Sequence, residues 1–431
     1  MKVEQQQAAR VVDGVHRGIA LDEALAAVDD GSPLRGRALV QELAYGTLRY
    51  WGTLDALTRR LATKPAADPL LHSLVAVALY QLDHTRAPAF AVVDRAVEAA
   101  ADLSRPAAKR WVNALLRRYL RERSTLTATV QHDAVARWSY PRWWIARVKA
   151  DFPGEWESIL EAGNSRPPLV LRVNRRVTTR PRFVDALSEQ AITSTMIGDW
   201  GVIVDPPRAV TGLPGYAAGA FSVQDAAAQL AANILDSQHG MRVLDACAAP
   251  GGKTAHMLEM ADVALTALDR DAARLNRLTA NLRRLRLDNA DLRIVCGDAG
   301  DPSSWWDGQP FDRILADVAC SASGVVRRHP DGKWLRRPGD IAAFAREQQR
   351  ILAALWPLVA RGGKLLYATC SVFRAENETQ VDTFRAAHPD AVRETITFPP
   401  GAHHVGGQLL PSASGAVHNQ DGFFYALLRK A

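Results

Sequence analysis

Along the first 130 residues, apolar positions recur at three-, four- and seven-residue steps, as in Leu39, Leu43, Tyr50, Leu54, Leu57 and Leu61. That spacing gathers them on one helix face and predicts a buried contact surface. Pro65, Pro69, Pro88 and Pro106 each stand near the start of a new apolar-periodic run such as LLHSLVAVALYQL, which suits proline's tolerance in a helix's first turn. The pattern predicts an all-α domain of four or more helices over 1–130. A helical connector rich in Trp (Trp138, Trp143, Trp144, Trp156) and broken by Pro141 and Pro153 is expected over 131–165.

The period then changes. LVLRVN and WGVIVD read as strands around the helical FVDALSEQ, so a small α+β subdomain is expected over 166–225. From 226 to 431 strands and helices alternate: RVLDACA, GGKTAHMLEMA, ALTALD, AARLNRLTANLRRLRL, LRIVCGD, DRILADVAC, FAREQQRILAALWPLVA and KLLYATCS. Alternation of this kind predicts a doubly wound, Rossmann-like α/β domain with a mostly parallel sheet.

Charge adds a partner class. The 431 residues carry a formal net charge of +7, and the excess is clustered. Arg105, Lys109, Arg110, Arg117, Arg118, Arg121 and Arg123 face the single acid Glu122, and LRVNRRVTTRPRF holds five Arg and no acid. Both segments suit phosphate contacts, although a charged helix face is equally often just solvated. MKVEQQQAAR lacks a leader-like apolar stretch, and no window matches a membrane span. A cytoplasmic protein with no membrane partner is expected. Four cysteines, Cys247, Cys296, Cys320 and Cys370, form no CxxC pair, so neither a disulfide framework nor a bound metal is expected.

The chemistry concentrates where strands should end. In VLDACAAPGGKT a strand finishes at Asp245 and a small-residue turn opens a helix, so a ligand can approach the backbone closely. The turn lacks the glycine spacing of a phosphate-cradling P-loop and of the G-x-G-x-x-G dinucleotide fingerprint. Asp269 ends the next strand, 18 residues after Gly251, where such folds place the acid that binds a ribose diol. Asp298 and Asp317 end the third and fourth strands. Four acids along one sheet edge point to an adenosine-containing cofactor.

Cys320 follows the fourth strand and Cys370 the fifth, so both should open onto that same edge, whereas Cys247 and Cys296 read as structural or cofactor-lining. A thiolate suits one reaction well. C5 of cytosine is a poor nucleophile until a soft nucleophile adds at C6 and makes an enamine. Asp317 could stabilise that adduct, and a second group must remove the C5 proton. The stretch from Arg327 to Arg337, with five Arg/Lys, His329 and Trp334, has the basic and aromatic mix that contacts splayed RNA.

VLDACAAPGGKT, DVACSASGVVRRHPDGKWLRR, YATCSVFRAENE and DGFFYALLRK, in this order, closely resemble the signature segments of the Sun or Fmu (RsmB-like) family of bacterial rRNA cytosine-C5 methyltransferases, which includes the enzymes for cytosine 967 of 16S rRNA. QELAYGTLRYWGTLD and NALLRRYLR are similar to helices of a NusB-like RNA-binding domain. The resemblance covers nearly the whole chain. It implies S-adenosyl-L-methionine as cofactor, with Cys247, Ala248, Ala249, Pro250, Gly251, Gly252 and Lys253 along its methionine part, Asp269 at the ribose, Asp298 at the adenine and Asp317 at the reacting end. It implies Cys370 as nucleophile, Cys320 in product release, and action on 16S rRNA or a small-subunit assembly intermediate; a monomer is expected. Ala319 stands where the family usually has Pro, which removes a restraint from the Cys320 loop. The catalytic half alone does not separate rRNA from tRNA targets. A non-catalytic RNA-binding assembly factor is the rival of a different class, opposed by the full set of acids and both cysteines.

Overall fold

The computed structural model describes every residue except 30–33, 63–67, 104–105, 290 and 414–418, and leaves aside the side chains of 34 and 35. Pro65 and Arg105 therefore lie outside the described residues. The chain divides into two compact units, Met1–Ser165 with Val326–Pro338, and Arg166–Val325 with Gly339–Ala431.

The first unit is all helical. Among the described residues it contains α1 (Lys2–His16), α2 (Leu21–Ala27), α3 (Leu34–Arg49), α4 (Trp51–Leu61), α5 (Pro69–His84), α6 (Ala89–Leu103), α7 (Ala108–Val130), α8 (Ala134–Trp138), α9 (Arg142–Asp151) and α10 (Trp156–Asn164). The periodic stripe faces inward as its spacing requires: Leu43, Leu54, Leu57 and Leu61 are buried, and Leu39 and Tyr50 pack against them. Asp68 caps α5 by accepting from the Leu70 N–H at 2.9 Å, with Pro69 in the first turn. On α7, Val112, Leu115, Leu116 and Tyr119 point into the core, while Lys109, Arg110, Arg117, Arg121 and Arg123 are exposed.

The second unit begins with β1 (Leu169–Val173), α11 (Arg180–Glu189), β2 (Ser194–Ile197), β3 (Gly201–Val204) and β4 (Phe221–Val223). These strands form a small antiparallel sheet in the order β2-β3-β1-β4. Then come α12 (Leu230–Leu235), β5 (Arg242–Asp245), α13 (Gly252–Met260), β6 (Ala264–Asp269), α14 (Ala272–Arg284), β7 (Leu292–Cys296) and β8 (Phe311–Asp317). After β8 the chain enters the first unit, where α15 (Gly332–Leu335) lies, and returns with α16 (Pro338–Leu355), β9 (Val359–Thr369), α17 (Glu378–Ala387), β10 (Ala391–Glu394), β11 (His404–Val405), β12 (Gln408–Leu409) and β13 (Phe423–Lys430).

The large sheet runs β7-β6-β5-β8-β9 with all neighbours parallel, then β13 antiparallel to β9, with β10 and β12 both pairing with β13 and β11 beyond β12. This is a Rossmann-like sheet extended by an antiparallel edge. Strand order reverses between β5 and β8, and in open sheets of this kind the ligand crevice lies at the carboxyl ends around that point. Arg172 of β1 ties the small sheet to the crevice: wholly buried, it donates to the Gly252 carbonyl at 2.7 Å and pairs with Glu259 of α13 at 2.7 Å. No helix among the described residues is long and apolar enough to cross a membrane.

Candidate active site

Strand β5 delivers the chain into a tight turn that is held by its neighbours. Ala246 donates to the Leu315 carbonyl at 2.9 Å, Ala248 to the Leu268 carbonyl at 2.9 Å, and Gly251 to the Ala248 carbonyl at 2.8 Å. Gly251 has φ +96°, and a Cβ there would sit 2.8 Å from the Leu278 side chain, so only glycine closes the turn. At Gly252 a Cβ would meet nothing nearer than Gln224 Nε2 at 3.7 Å. The start of α13 is therefore open to a ligand.

The four strand-end acids have separate environments. Asp269, 4% exposed, accepts from the Ala249 N–H and the Asp271 N–H at 3.0 Å each, so it braces the turn. Asp298 lies two residues beyond β7, accepts from Gly300 N–H at 2.8 Å and pairs with Arg350 of α16 at 2.9 Å. Its carboxyl is held below the usual range, chiefly by Arg350. Asp317 pairs with Lys253 at 2.5 Å. Burial would depress the Lys253 ammonium, but Asp317 outweighs it and the net direction is upward. Neither the Lys253–Asp317 pair nor Arg350 was legible from spacing.

Asp245 is 1% exposed; Thr254 donates to its Oδ2 at 2.7 Å, while Oδ1 has no hydrogen-bond partner. Burial pushes its carboxyl up from 3.8 to about 7. Between those values the folded protein holds a proton that the unfolded chain has released, so stability falls as pH rises through this window and levels off above it. At about 1.4 kcal/mol per pH unit the effect reaches at most ~4 kcal/mol. Asp245→Asn should remove this contribution. Urea midpoints of the cofactor-free protein at pH 5 and pH 7.5 check it, and parallel pH profiles for the two proteins would reject it.

The two thiols meet. Parallel pairing of β8 with β9 sets Asp317 opposite Ala368, so the residues that follow leave the sheet side by side. Val318 N–H donates to the Ala368 carbonyl at 3.1 Å and Gly324 N–H to the Cys370 carbonyl at 2.8 Å. Cys320 and Cys370 consequently stand with sulfurs 3.4 Å apart. Cys320 is buried and Cys370 half-buried. The contact with Cys370, together with burial, keeps the Cys320 thiol well above the ordinary thiol range. Cys247 is also pushed up, by burial first, and Cys296 is exposed at the end of β7. Among the described residues no cluster of three or more His, Cys, Asp or Glu could hold a metal.

The arrangement suits S-adenosylmethionine. A glycine turn offers open backbone, acids stand at the ends of β5, β6 and β8 and just beyond β7, and the paired thiols follow β8 and β9. The basic and aromatic segment after Cys320 is placed otherwise than its composition led us to expect: Arg327 and Lys333 are wholly buried within the helical unit, and Trp334 packs on its core.

Residues 232–429 match the family model for 16S rRNA methyltransferase RsmB/F, 140–211 the ferredoxin-like domain of RsmF/B-like methyltransferases, and 2–121 the NusB family. The chain is 45% identical to ribosomal RNA small subunit methyltransferase B of Pseudomonas putida, covering 98% of this chain and 97% of that one. It is 42% identical to the protein of the same name from Vibrio cholerae, covering 100% and 98%. Among solved structures, PH0851 superposes with a TM-score of 0.77 at 23% identity over 99% of both chains. NSun6 from Pyrococcus horikoshii, solved with SFG, superposes with a TM-score of 0.59 at 20% identity over 67% of this chain and 98% of its own. Identity of this order from end to end shows that the chain belongs to the RsmB/F family of 16S rRNA methyltransferases, enzymes that use S-adenosylmethionine.

Proposed function

We propose that the chain methylates C5 of one cytosine in 16S rRNA, position 967 by its resemblance to the Sun/Fmu enzymes, through a covalent bond between Cys370 Sγ and C6. The observation that carries this reading is the 3.4 Å contact of the Cys320 and Cys370 sulfurs at the strand ends. Cys247, Ala248, Ala249, Pro250, Gly251, Gly252 and Lys253 hold the methionine part of the cofactor, Asp269 the ribose and Asp298 the adenine. Bound S-adenosylmethionine supplies an electrophilic methyl group.

The chain's own residues do the rest. Cys370, as thiolate, adds to C6, and the C5=C6 electron pair shifts to make C5 nucleophilic. Asp317, paired with Lys253, accepts from the cytosine amino group or shares a proton with N3. Once C5 is methylated it must lose its proton. Cys320 passes its thiol proton to the departing Cys370 sulfur and takes the C5 proton, so C5=C6 reforms and both cysteines end as thiols. The cytosine has to leave its stack to reach this edge, and the exposed cations of α7 supply phosphate contacts that hold the RNA without reading its sequence. The substrate is 16S rRNA, free or in an assembling small subunit.

The test is transfer of labelled methyl to unmodified 16S rRNA and to tRNA, with the product base mapped by mass spectrometry. We expect 5-methylcytosine at a single 16S position. Label in tRNA alone would remove the rRNA target, and a methyl on any atom other than C5 would remove the covalent route.

A further inference from the structure

Next to the residues that follow the two thiols lies a buried carboxylate. Glu376, 0% exposed, sits in the turn between β9 and α17. Its Oε1 accepts from the Ser321 N–H at 2.7 Å, and its Oε2 accepts from the hydroxyls of Ser321 and Ser371 at 2.6 Å each. Ser321 directly follows Cys320, and Ser371 directly follows Cys370. Gln348 of α16, also 0% exposed, donates to the Ala319 carbonyl at 3.0 Å and to Glu376 Oε1 at 3.4 Å. The residues on both sides of Cys320 are thereby tied to one point. The loops are joined again where Ser323 Oγ lies 2.9 Å from Ser371 Oγ and accepts from the Val372 N–H at 2.8 Å. Tyr367 of β9 fixes the turn itself by donating to the Glu376 carbonyl at 2.6 Å.

This is an arrangement for holding two loops at a fixed separation. Alanine at 319 leaves the Cys320 loop without a ring to restrict φ, so its geometry must come from hydrogen bonds. A carboxylate suits the task because it has only acceptor sites, and three of the donors that converge on it belong to the two residues next to the cysteines. Helix α16 is a rigid anchor for the fourth. Functional groups held by a second layer of buried hydrogen bonds keep their geometry to a fraction of an ångström, and losing that precision costs rate well before it costs the fold.

We propose that Glu376, seconded by Gln348, is a positioning residue that sets the contact between Cys320 and Cys370 and thereby the step that frees methylated RNA. The second half rests on the division of labour between the cysteines given above. The first half does not.

Bridging of Cys320 to Cys370 by diamide tests the geometry without RNA or cofactor. The two thiols form one S–S bond and give two protons and two electrons to the diazene, which becomes a hydrazine; peptide mass spectrometry identifies the bridged pair in the full-length enzyme. Glu376→Ala should slow bridging by about 10-fold or more, and Glu376→Gln, which keeps one acceptor oxygen, by less, with cofactor affinity within about 2-fold of the parent. Both should gather an RNA–protein adduct that survives denaturing gels, as Cys320→Ala should. If Glu376→Ala fails to fold, Glu376→Gln decides alone: parental bridging at a parental melting temperature overturns the proposal. Slowed bridging with no adduct, where Cys320→Ala does gather one, overturns the role in release. If Cys320→Ala itself gathers none, the division of labour fails, and slowed bridging still supports the positioning of the thiols.

Discussion

Cys370→Ala should lower methyl transfer by about 1,000-fold or more, because in the proposed mechanism Cys370 is the group that adds to C6 and removal of a covalent nucleophile typically costs that much or more. Cofactor affinity should hardly change. The turn that would take the cofactor is braced through β5, β6 and β8, by Leu315, Leu268 and Asp269, and none of those bonds involves β9, whose end carries Cys370. Cys320→Ala should behave differently. On the proposed mechanism the adduct should still form while the group that relays protons during elimination is lost, so RNA should stay attached to the protein. Single-turnover transfer from labelled cofactor measures the first effect, calorimetric titration of the cofactor its specificity, and a denaturing gel the second. Normal turnover by Cys370→Ala would end the assignment of Cys370 as nucleophile, and adduct in Cys370→Ala with none in Cys320→Ala would exchange the roles of the two cysteines.

The parts of this site that follow from strand ends could be read in the sequence. Parallel strands deliver whatever follows them to one edge, so periodicity and position place Asp245, Asp269, Asp298, Asp317, Cys320 and Cys370 at or just beyond the carboxyl ends of neighbouring strands, where the structure also has them. What spacing does not encode is which side chains meet across that edge. Lys253 is 64 residues from Asp317 and Arg350 is 52 from Asp298, and each pairing depends on the strand order, which a list of elements leaves open. Glu376 lies within the segment YATCSVFRAENE, where nothing in its spacing marks it as buried. Its burial became legible only with the Ser321 and Ser371 donors in place. The antiparallel β13 edge is similar: DGFFYALLRK is strand-like, but its direction beside β9 is a matter of topology. The segment from Arg327 to Arg337 shows the opposite failure. Composition counts charges without locating them, and two of these cations are structural.

Lys333→Met should therefore destabilise the helical unit by roughly 3 kcal/mol, and Lys333→Ala by roughly 3–5 kcal/mol, although five Arg/Lys in eleven residues invite the expectation of a neutral surface change. Lys333 is 0% exposed. Its Nζ donates to the Arg49 carbonyl at 2.7 Å and to Asn164 Oδ1 at 2.8 Å, and lies 4.4 Å over the Tyr140 ring. Burial first, and the Arg49 guanidinium second, pull its ammonium well below the ordinary lysine range, yet either protonation state has the two donors these acceptors require. Methionine fills the space and donates nothing, which leaves both acceptors without this partner; alanine adds a cavity. The rest of the segment locks to the same unit, with Arg49 donating to the Arg327 carbonyl at 2.8 Å, Leu21 N–H to Asp331 at 3.1 Å and the Trp334 indole N–H to the Leu48 carbonyl at 2.8 Å. For a unit of this size the loss corresponds to a fall in melting temperature of roughly 10 °C. Calorimetry on the full-length protein measures it, with exposed Arg121→Met of the same unit as the control that should not move. A parental melting temperature for Lys333→Met would mean that the segment is only laid against the helices, and its cations would return to the account as RNA contacts.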